Sequence, residues 1–317
     1  MSTNSKSSLN KASTQVVFPP QAVLAVGILA VSTAAIFIRL AQREATSMMV
    51  AAARLTLASL ALLPFAWRRR DEYRAIGRRK AGFLVLAGFL LALHFALWIT
   101  SLEMTSVASS VVLVTTTPLW VALLSPVVLR ERLTRAVWIG LGVALAGGIL
   151  VGLSEACSVS TAGLACPPAQ TFFQGKAMLG NLLALGGAFA AAGYMTVGRL
   201  ARQDLSLLSY ITAVYGAAAI FLVAAAGASG QFQLEYSPVT WLCFAGLALI
   251  PQLVGHSSLN YALRFLPAAY VSVSLLAEPI GSSLLAILLL KEAPSVLEVT
   301  GGLIILIGIG LATWKRE

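Results

Sequence analysis

The stretch SLEMTSVASSVVLVTTTPLWVALLSPVVLRERLT (101–134) returns later in the chain as LRFLPAAYVSVSLLAEPIGSSLLAILLLKEAPS (263–295). At a displacement of 161 residues, 279 minus 118, Pro118 falls on Pro279, Glu131 on Glu292, Arg130 on Lys291, Gly140 on Gly301 and Leu102 on Leu263. A displacement one residue shorter aligns IRLA (38–41) with GRLA (198–201). Matched leucines carry little weight in an apolar chain, but matched prolines and matched basic-Glu pairs do not follow from composition. The chain therefore reads as two halves built to one plan.

Outward from these stretches, short charged bursts such as WRRRDEYRAIGRRK (67–80) separate apolar runs. Each run is close to the ~20 residues that carry a helix across ~30 Å of hydrocarbon. Ten are counted, at 21–40, 46–66, 81–101, 106–129, 136–153, 176–198, 206–228, 239–262, 267–290 and 296–314. Of the 317 residues, 58% are hydrophobic and 11% charged, with a mean hydropathy of +0.87. A soluble domain carries roughly 25% charged residues. The polar residues cannot coat a globule of 33.2 kDa, which excludes a disordered chain, a coiled coil and an ordinary soluble enzyme.

The expected fold is an all-α integral membrane protein of ten transmembrane helices in two inverted five-helix repeats, 20–154 and 176–317. An odd number of helices per repeat forces the second half to enter the bilayer in the opposite sense. Residues 1–19 are expected to be a disordered cytoplasmic tail, not a removable signal peptide, and 155–175 a periplasmic loop.

Basic residues orient the bundle. With the N-terminus inside, the inner segments hold 17 of the 22 Lys and Arg, the outer ones only Arg39, Arg43, Lys176 and Lys291, and Arg54 lies within a helix. Both termini are thus expected in the cytoplasm of a cell whose inner membrane holds the protein. The net charge of +10 then reflects topology and the anionic inner leaflet, and nucleic acid is not expected as a partner. Cys157 and Cys166, with eight residues between them in the longest outer loop, are expected to form a disulfide, free thiols being the alternative.

Inverted repeats characterise secondary transporters, in which substrate binds near the bilayer midplane between halves that rock against each other. In its ten runs, in the two opening stretches, in SLLAEPIGSSLLAILLLKE (274–292) and in the Gly-rich GGLIILIGIG (301–310), the chain resembles the drug/metabolite transporter superfamily, specifically EamA-type exporters. The resemblance covers about 20–314. It implies export of small metabolites, often amino acids or their derivatives, through a cavity between the halves, with lipid and a small molecule as partners and no cofactor or metal.

Candidate substrate contacts follow from polar groups at membrane depth. Glu278, matched by Thr117 in the first half, is a carboxylate that costs about 3 kcal/mol at mid-bilayer unless turned to a cavity or partner. It could take a proton, meet a substrate ammonium, or lock its helix to a neighbour. Arg54, matched by Tyr215, is an anion clamp for a substrate carboxylate, a member of a structural ion pair, or a side chain that snorkels outward. His94 and Trp98, like His256 and Asn260, share a helix face at i, i+4. Trp120 and Tyr194 complete the set, while Trp67, Trp138, Trp241 and Trp314 read as interfacial belt residues. Pro118 and Pro279 free the carbonyls of Val114 and Leu275, so each marks a hinge or a fixed kink. Gly140, Ala144, Gly148 and Gly152 form a small-residue ladder for a close helix contact.

Other classes fit less well. No HExxH, acid pair or P-loop serves a membrane enzyme or ATPase. One deep cation suits phosphorylated substrates poorly, and drug or organic-cation efflux stays open beside amino-acid export. Oligomeric state is not legible.

Overall fold

The computed structural model describes residues 18–128, 134–154, 157–160, 163–166, 175–202, 205–266, 271 and 274–313. The tail over 1–17 and the segment 129–133, with Glu131 and Arg130, lie outside them, as does Trp314.

Four helices start where the sequence supplies a side-chain cap. The first spans are α1 (Pro20–Ser32) and α2 (Ala34–Ala41), then α3 (Ser47–Trp67), the short α4 (Arg70–Arg74) and α5 (Arg78–Ser101). They are followed by α6 (Val107–Val114), α7 (Thr117–Val128) and α8 (Arg135–Ser154). A hairpin of β1 (Ser158–Ser160) and β2 (Gly163–Ala165) leads to α9 (Lys176–Ala201), α10 (Leu207–Ala228) and α11 (Pro238–Leu247). A π-helical stretch, Ala248–His256, runs into α12 (Ser257–Phe265); α13 (Ala277–Leu285), a second π turn (Ala286–Leu290) and α14 (Val296–Thr313) complete the chain. Thr46, Ser106, Ser206 and Ser237 each accept the N–H three residues on, capping α3, α6, α10 and α11.

Among the described residues eight helices are long and apolar enough to cross a membrane: 20–41, 47–67, 78–101, 107–128, 135–154, 176–201, 207–228 and 238–262. Ala277–Leu290 and Val296–Leu311 are shorter apolar helices. Large side chains such as Leu29, Ile220, Leu242 and Leu288 point outward from these spans. A surface of that kind suits lipid tails, not water. Trp67, Trp138 and Trp241 are exposed near helix ends, as a belt requires.

Three spans are interrupted. The first bends at Thr33, the fourth breaks at Thr115–Thr116 ahead of Pro118, and the eighth passes through the π stretch around Pro251. At the fourth, the Thr117 hydroxyl donates to the Val114 carbonyl that Pro118 leaves without its N–H, while the Thr115 and Thr116 hydroxyls donate to the Val111 and Leu113 carbonyls beside the backbone N–H groups these already accept. Before Pro279 the Leu275 carbonyl accepts the Glu278 N–H instead, at 2.9 Å.

The tightest helix pair is α8 with α14. A methyl group on Gly147 would stand 2.6 Å from the Gly301 carbonyl, and one on Gly308 2.6 Å from that of Gly140. The ladder differs from the expected one. Its buried face is Gly140, Ala144, Gly147 and Val151, whereas Gly148 faces open space and Gly152 meets only the tip of Met178. Steps of four residues drift around a helix with 3.6 per turn, while steps of four, three and four hold one face.

The bundle has two distinct ends. The basic end carries Arg68–Lys80, between α3 and α5; there Ser206 donates its N–H and hydroxyl to Glu72. Burial pushes the Glu72 carboxyl up, but hydrogen bonds from Ser209, Ser206 and Arg69 outweigh this and hold it below the ordinary value. The opposite end gathers the turns at 42–46, 102–106, 229–237 and 291–295.

Candidate functional site

A cavity of about 650 Å³ lies inside the bundle. The bend of the first span gives Val31 and Ala34, and α5 gives Leu91, His94 and Trp98. The break of the fourth span presents Thr115, Thr117 and Pro118, and α9 presents Tyr194 and Thr196. His256 ends the π stretch, Asn260 follows on α12, and Leu275 and Glu278 come from the turn before Pro279. Arg199, Arg202, Leu205 and Tyr210 carry the wall to the basic end, where Arg199 is exposed. The walls are mostly apolar with a few convergent polar groups, as in small-molecule sites.

His94 Nδ1 donates to the Gly187 carbonyl at 2.9 Å, which fixes its tautomer and leaves Nε2 an acceptor. Its ring stacks on Trp98 with centroids 5.9 Å apart. Asn260 Nδ2 donates to the His256 carbonyl at 2.9 Å and toward Tyr194 Oη at 3.4 Å. Arg202 donates to the Asn260 carbonyl at 2.7 Å, so the mouth and the floor are tied through one residue. Among the described residues, none donates a hydrogen bond to the Glu278 carboxylate. Its backbone is held instead: Ser282 Oγ donates to the Ser32 carbonyl at 3.1 Å, and Gly281 admits Ser32 so closely that a Cβ there would lie 2.5 Å from its Oγ.

Of the ten substrate-contact candidates, His94, Trp98, Thr117, Tyr194, His256, Asn260 and Glu278 line this cavity. Three do not. Trp120 donates to Thr116 Oγ1 at 3.2 Å and packs edge-on against Phe189. Tyr215 is fully buried between helices. Arg54 neither snorkels nor forms an ion pair. It is 0% exposed, donates from Nε to Gln252 Oε1 at 2.8 Å, and lies 4.1 Å over the Phe95 ring, behind the cavity wall. Pro118 lines the cavity and Pro279 is buried beside it.

Arg199, Arg202 and Tyr210 escaped the sequence reading, which assigned the first two to a loop. The helix continues to Ala201, with Gly198 close against the Tyr210 hydroxyl. The RLA echo of 39–41 was the available signal, since Arg39 is also helical. Cys157 and Cys166 are joined by a disulfide.

At the opposite end the bundle is closed by carboxylates. Glu292 pairs with Arg39 at 3.0 Å and accepts the Val107 N–H at the start of α6. Glu298 accepts from Ser106, from Ser109 Oγ at 2.9 Å and from the Ser295 N–H at 2.6 Å. Glu103 accepts the Ser47 N–H and hydroxyl at 3.1 and 2.6 Å. Glu44 accepts the Thr240 hydroxyl at 2.7 Å and the Ser237 N–H at 3.1 Å. Negative groups at helix N-termini also meet the favourable end of the dipole.

The sequence profile of the EamA-like transporter family matches residues 21–153 and 178–314. An uncharacterized transporter of Archaeoglobus fulgidus is 26% identical over 285 residues, spanning 89% of this chain and 93% of its own. The uncharacterized transporter YdfC of Bacillus subtilis is 25% identical over 258 residues, 81% of this chain and 78% of its own. A solved crystal structure, 19% identical, superposes with a TM-score of 0.62 over 93% of this chain and 96% of that one, a likeness of fold. The chain belongs to the EamA-like transporter family, within the drug/metabolite transporter superfamily, and is a multi-pass membrane transporter.

Proposed function

We propose that the protein exports small metabolites, amino acids or their derivatives first among them, across the bacterial inner membrane by alternating access. The observation that carries this is Glu278: a carboxylate on the wall of a largely apolar cavity, without a protein donor among the described residues, opposite His94, Trp98 and Tyr194. A carboxylate so placed suits a substrate ammonium, and the aromatic walls suit an apolar side chain. The same pairing favours organic cations as a second reading. In this proposal 20–154 and 176–317 are inverted five-helix repeats, the two shorter apolar helices supply the ninth and tenth spans, and both termini are cytoplasmic. The cavity then opens inward past Arg199 in this conformation, and Pro118 and Pro279 mark where the fourth and ninth spans flex. Glu278 is free to carry a proton in exchange.

Counterflow in proteoliposomes, with labelled amino acids, sugars and organic cations at two pH values, tests the reading. Saturable amino-acid exchange that falls in Glu278→Gln is expected. Exchange confined to sugars would overturn it, and exchange confined to organic cations would select the second reading.

A further inference from the structure

Behind the cavity wall, α3, α10 and the π stretch enclose a group of side chains that do not satisfy one another. Arg54, Tyr215 and Gln252 are each 0% exposed. Both terminal nitrogens of Arg54, Gln252 Nε2, the Tyr215 hydroxyl and the Ser257 hydroxyl are buried without a hydrogen-bond partner. They are neighbours. Arg54 Nε occupies the one dedicated acceptor, Gln252 Oε1, and the Tyr215 hydroxyl lies within interaction range of Ser257, Gln252 and Arg54. Each orphaned donor has given up its water without a replacement, which costs most for a charged one. A buried guanidinium without a counter-ion is the least tolerable of them.

The group contains four donor-bearing side chains, one positive charge and no carboxylate. Glu278 feels the charge of Arg54 but makes no ion pair with it. The partition between the group and the cavity is thin: Phe95 lies 4.1 Å from Arg54 on one face and 5.6 Å from the His256 ring, which lines the cavity. His256 and Gln252 both sit on the π stretch, a helix form that recurs at functional sites and can shed its extra residue to shift one face of a helix.

We propose that Arg54, Gln252, Tyr215 and Ser257 form a carboxylate subsite of the transport cavity, closed in this conformation by Phe95 and His256. A carboxylate is planar and takes two parallel N–H donors from a guanidinium, with hydroxyls at its remaining lone pairs. This deepens the reading above and rests on it: the substrate carries a carboxylate at the Arg54 end and a cationic or polar group toward Glu278.

The test uses purified full-length protein in detergent, with thermal stability read against acetate, glycine, L-alanine and L-phenylalanine. The methyl esters of the three amino acids and sodium chloride are compared at constant ionic strength in methanesulfonate. Free carboxylates should raise the melting temperature and the esters should not. Tyr215→Phe and Ser257→Ala remove hydroxyls whose polar neighbours are one another and Gln252, none in full hydrogen-bond geometry, so their ligand-free melting temperatures should stay close to wild type. Their half-saturating carboxylate concentration should rise about tenfold. Arg54→Lys should raise it further, because an ammonium cannot grip both oxygens. Equal protection by acid and ester, unchanged titrations in both hydroxyl variants, or no protection by any carboxylate would overturn the subsite. Protection by chloride alone would assign the pocket to an inorganic anion and overturn the carboxylate assignment. Counterflow of a carboxylate-free compound by the same preparation would keep the transporter reading while the subsite fell.

Discussion

The acidic residues at the two ends of the cavity live in opposite circumstances. At the sealed end Glu44, Glu103, Glu292 and Glu298 each accept hydrogen bonds that cap a helix or join two spans. In the cavity Glu278 has its backbone fixed and its carboxylate on the open wall. The chemistry is the same, but the first set is spent on holding helices together and the second is available to something that comes and goes. Replacing the first should change stability, and replacing the second should change transport.

The largest expected effect is at Glu298, which is only 8% exposed and joins Ser106, Ser109 and Ser295. Glu298→Ala removes the acceptor that these three residues share and should destabilise the protein by about 3 kcal/mol, read as a lower melting temperature. Transport per folded molecule should survive. If melting is unchanged, the sealed end is not held by these carboxylates. Next is Glu278→Gln, for which transport of an ammonium-bearing substrate should fall at least tenfold, the loss of one charge-assisted contact. Its melting temperature should stay close to wild type, since no donor among the described residues is stranded. A matching drop in stability would erase the contrast between the two ends.

Glu292→Gln keeps an acceptor for Val107 but removes the charge opposite Arg39. Both partners are partly exposed, so about 1 kcal/mol is expected. Beyond stability, a cysteine placed near the turn at 291–295 should label faster in this variant if the pair closes that face. The smallest effect concerns Glu44. The Thr240 hydroxyl first, then the Ser237 N–H and hydroxyl, hold its carboxyl below the ordinary value of 4.5. A depressed value means the contribution is present above 4.5 and is lost as pH falls through the lower, folded-state value. Wild type should therefore be slightly more stable than Glu44→Gln near pH 7, and the difference should close at lower pH. A difference that widened on acidification would show the sign to be wrong.

Eight apolar spans and several polar residues of the cavity wall could be read from the sequence because hydropathy and i, i+4 spacing are local properties. His94 with Trp98 and His256 with Asn260 were found in that way. What could not be read was set by distant partners. Nothing near Glu292 or Glu298 signals that each will cap the start of α6, some 185 and 192 residues away. The π stretch over Ala248–His256 has an apolar run indistinguishable from an ordinary helix, apart from Pro251, and that stretch turns Gln252 toward Arg54. Arg54 was recognised as unusual by its depth, yet its place behind the wall depends on Phe95, a residue with no distinguishing spacing. Trp120 was misplaced because its partners, the Thr116 hydroxyl and the Phe189 ring on another helix, take it off the cavity wall.

The Cys157–Cys166 crosslink bears on how the chain is made. Thiols of a nascent membrane protein meet the cytosolic reductants until their loop has been carried across, and only then can they be oxidised. On the proposed topology, with both termini cytoplasmic, the crosslink would be a chemical record of which way the chain was threaded, written once during synthesis and readable afterwards by gel mobility. Cys243, buried in its helix, leaves no mark of its own in such a record.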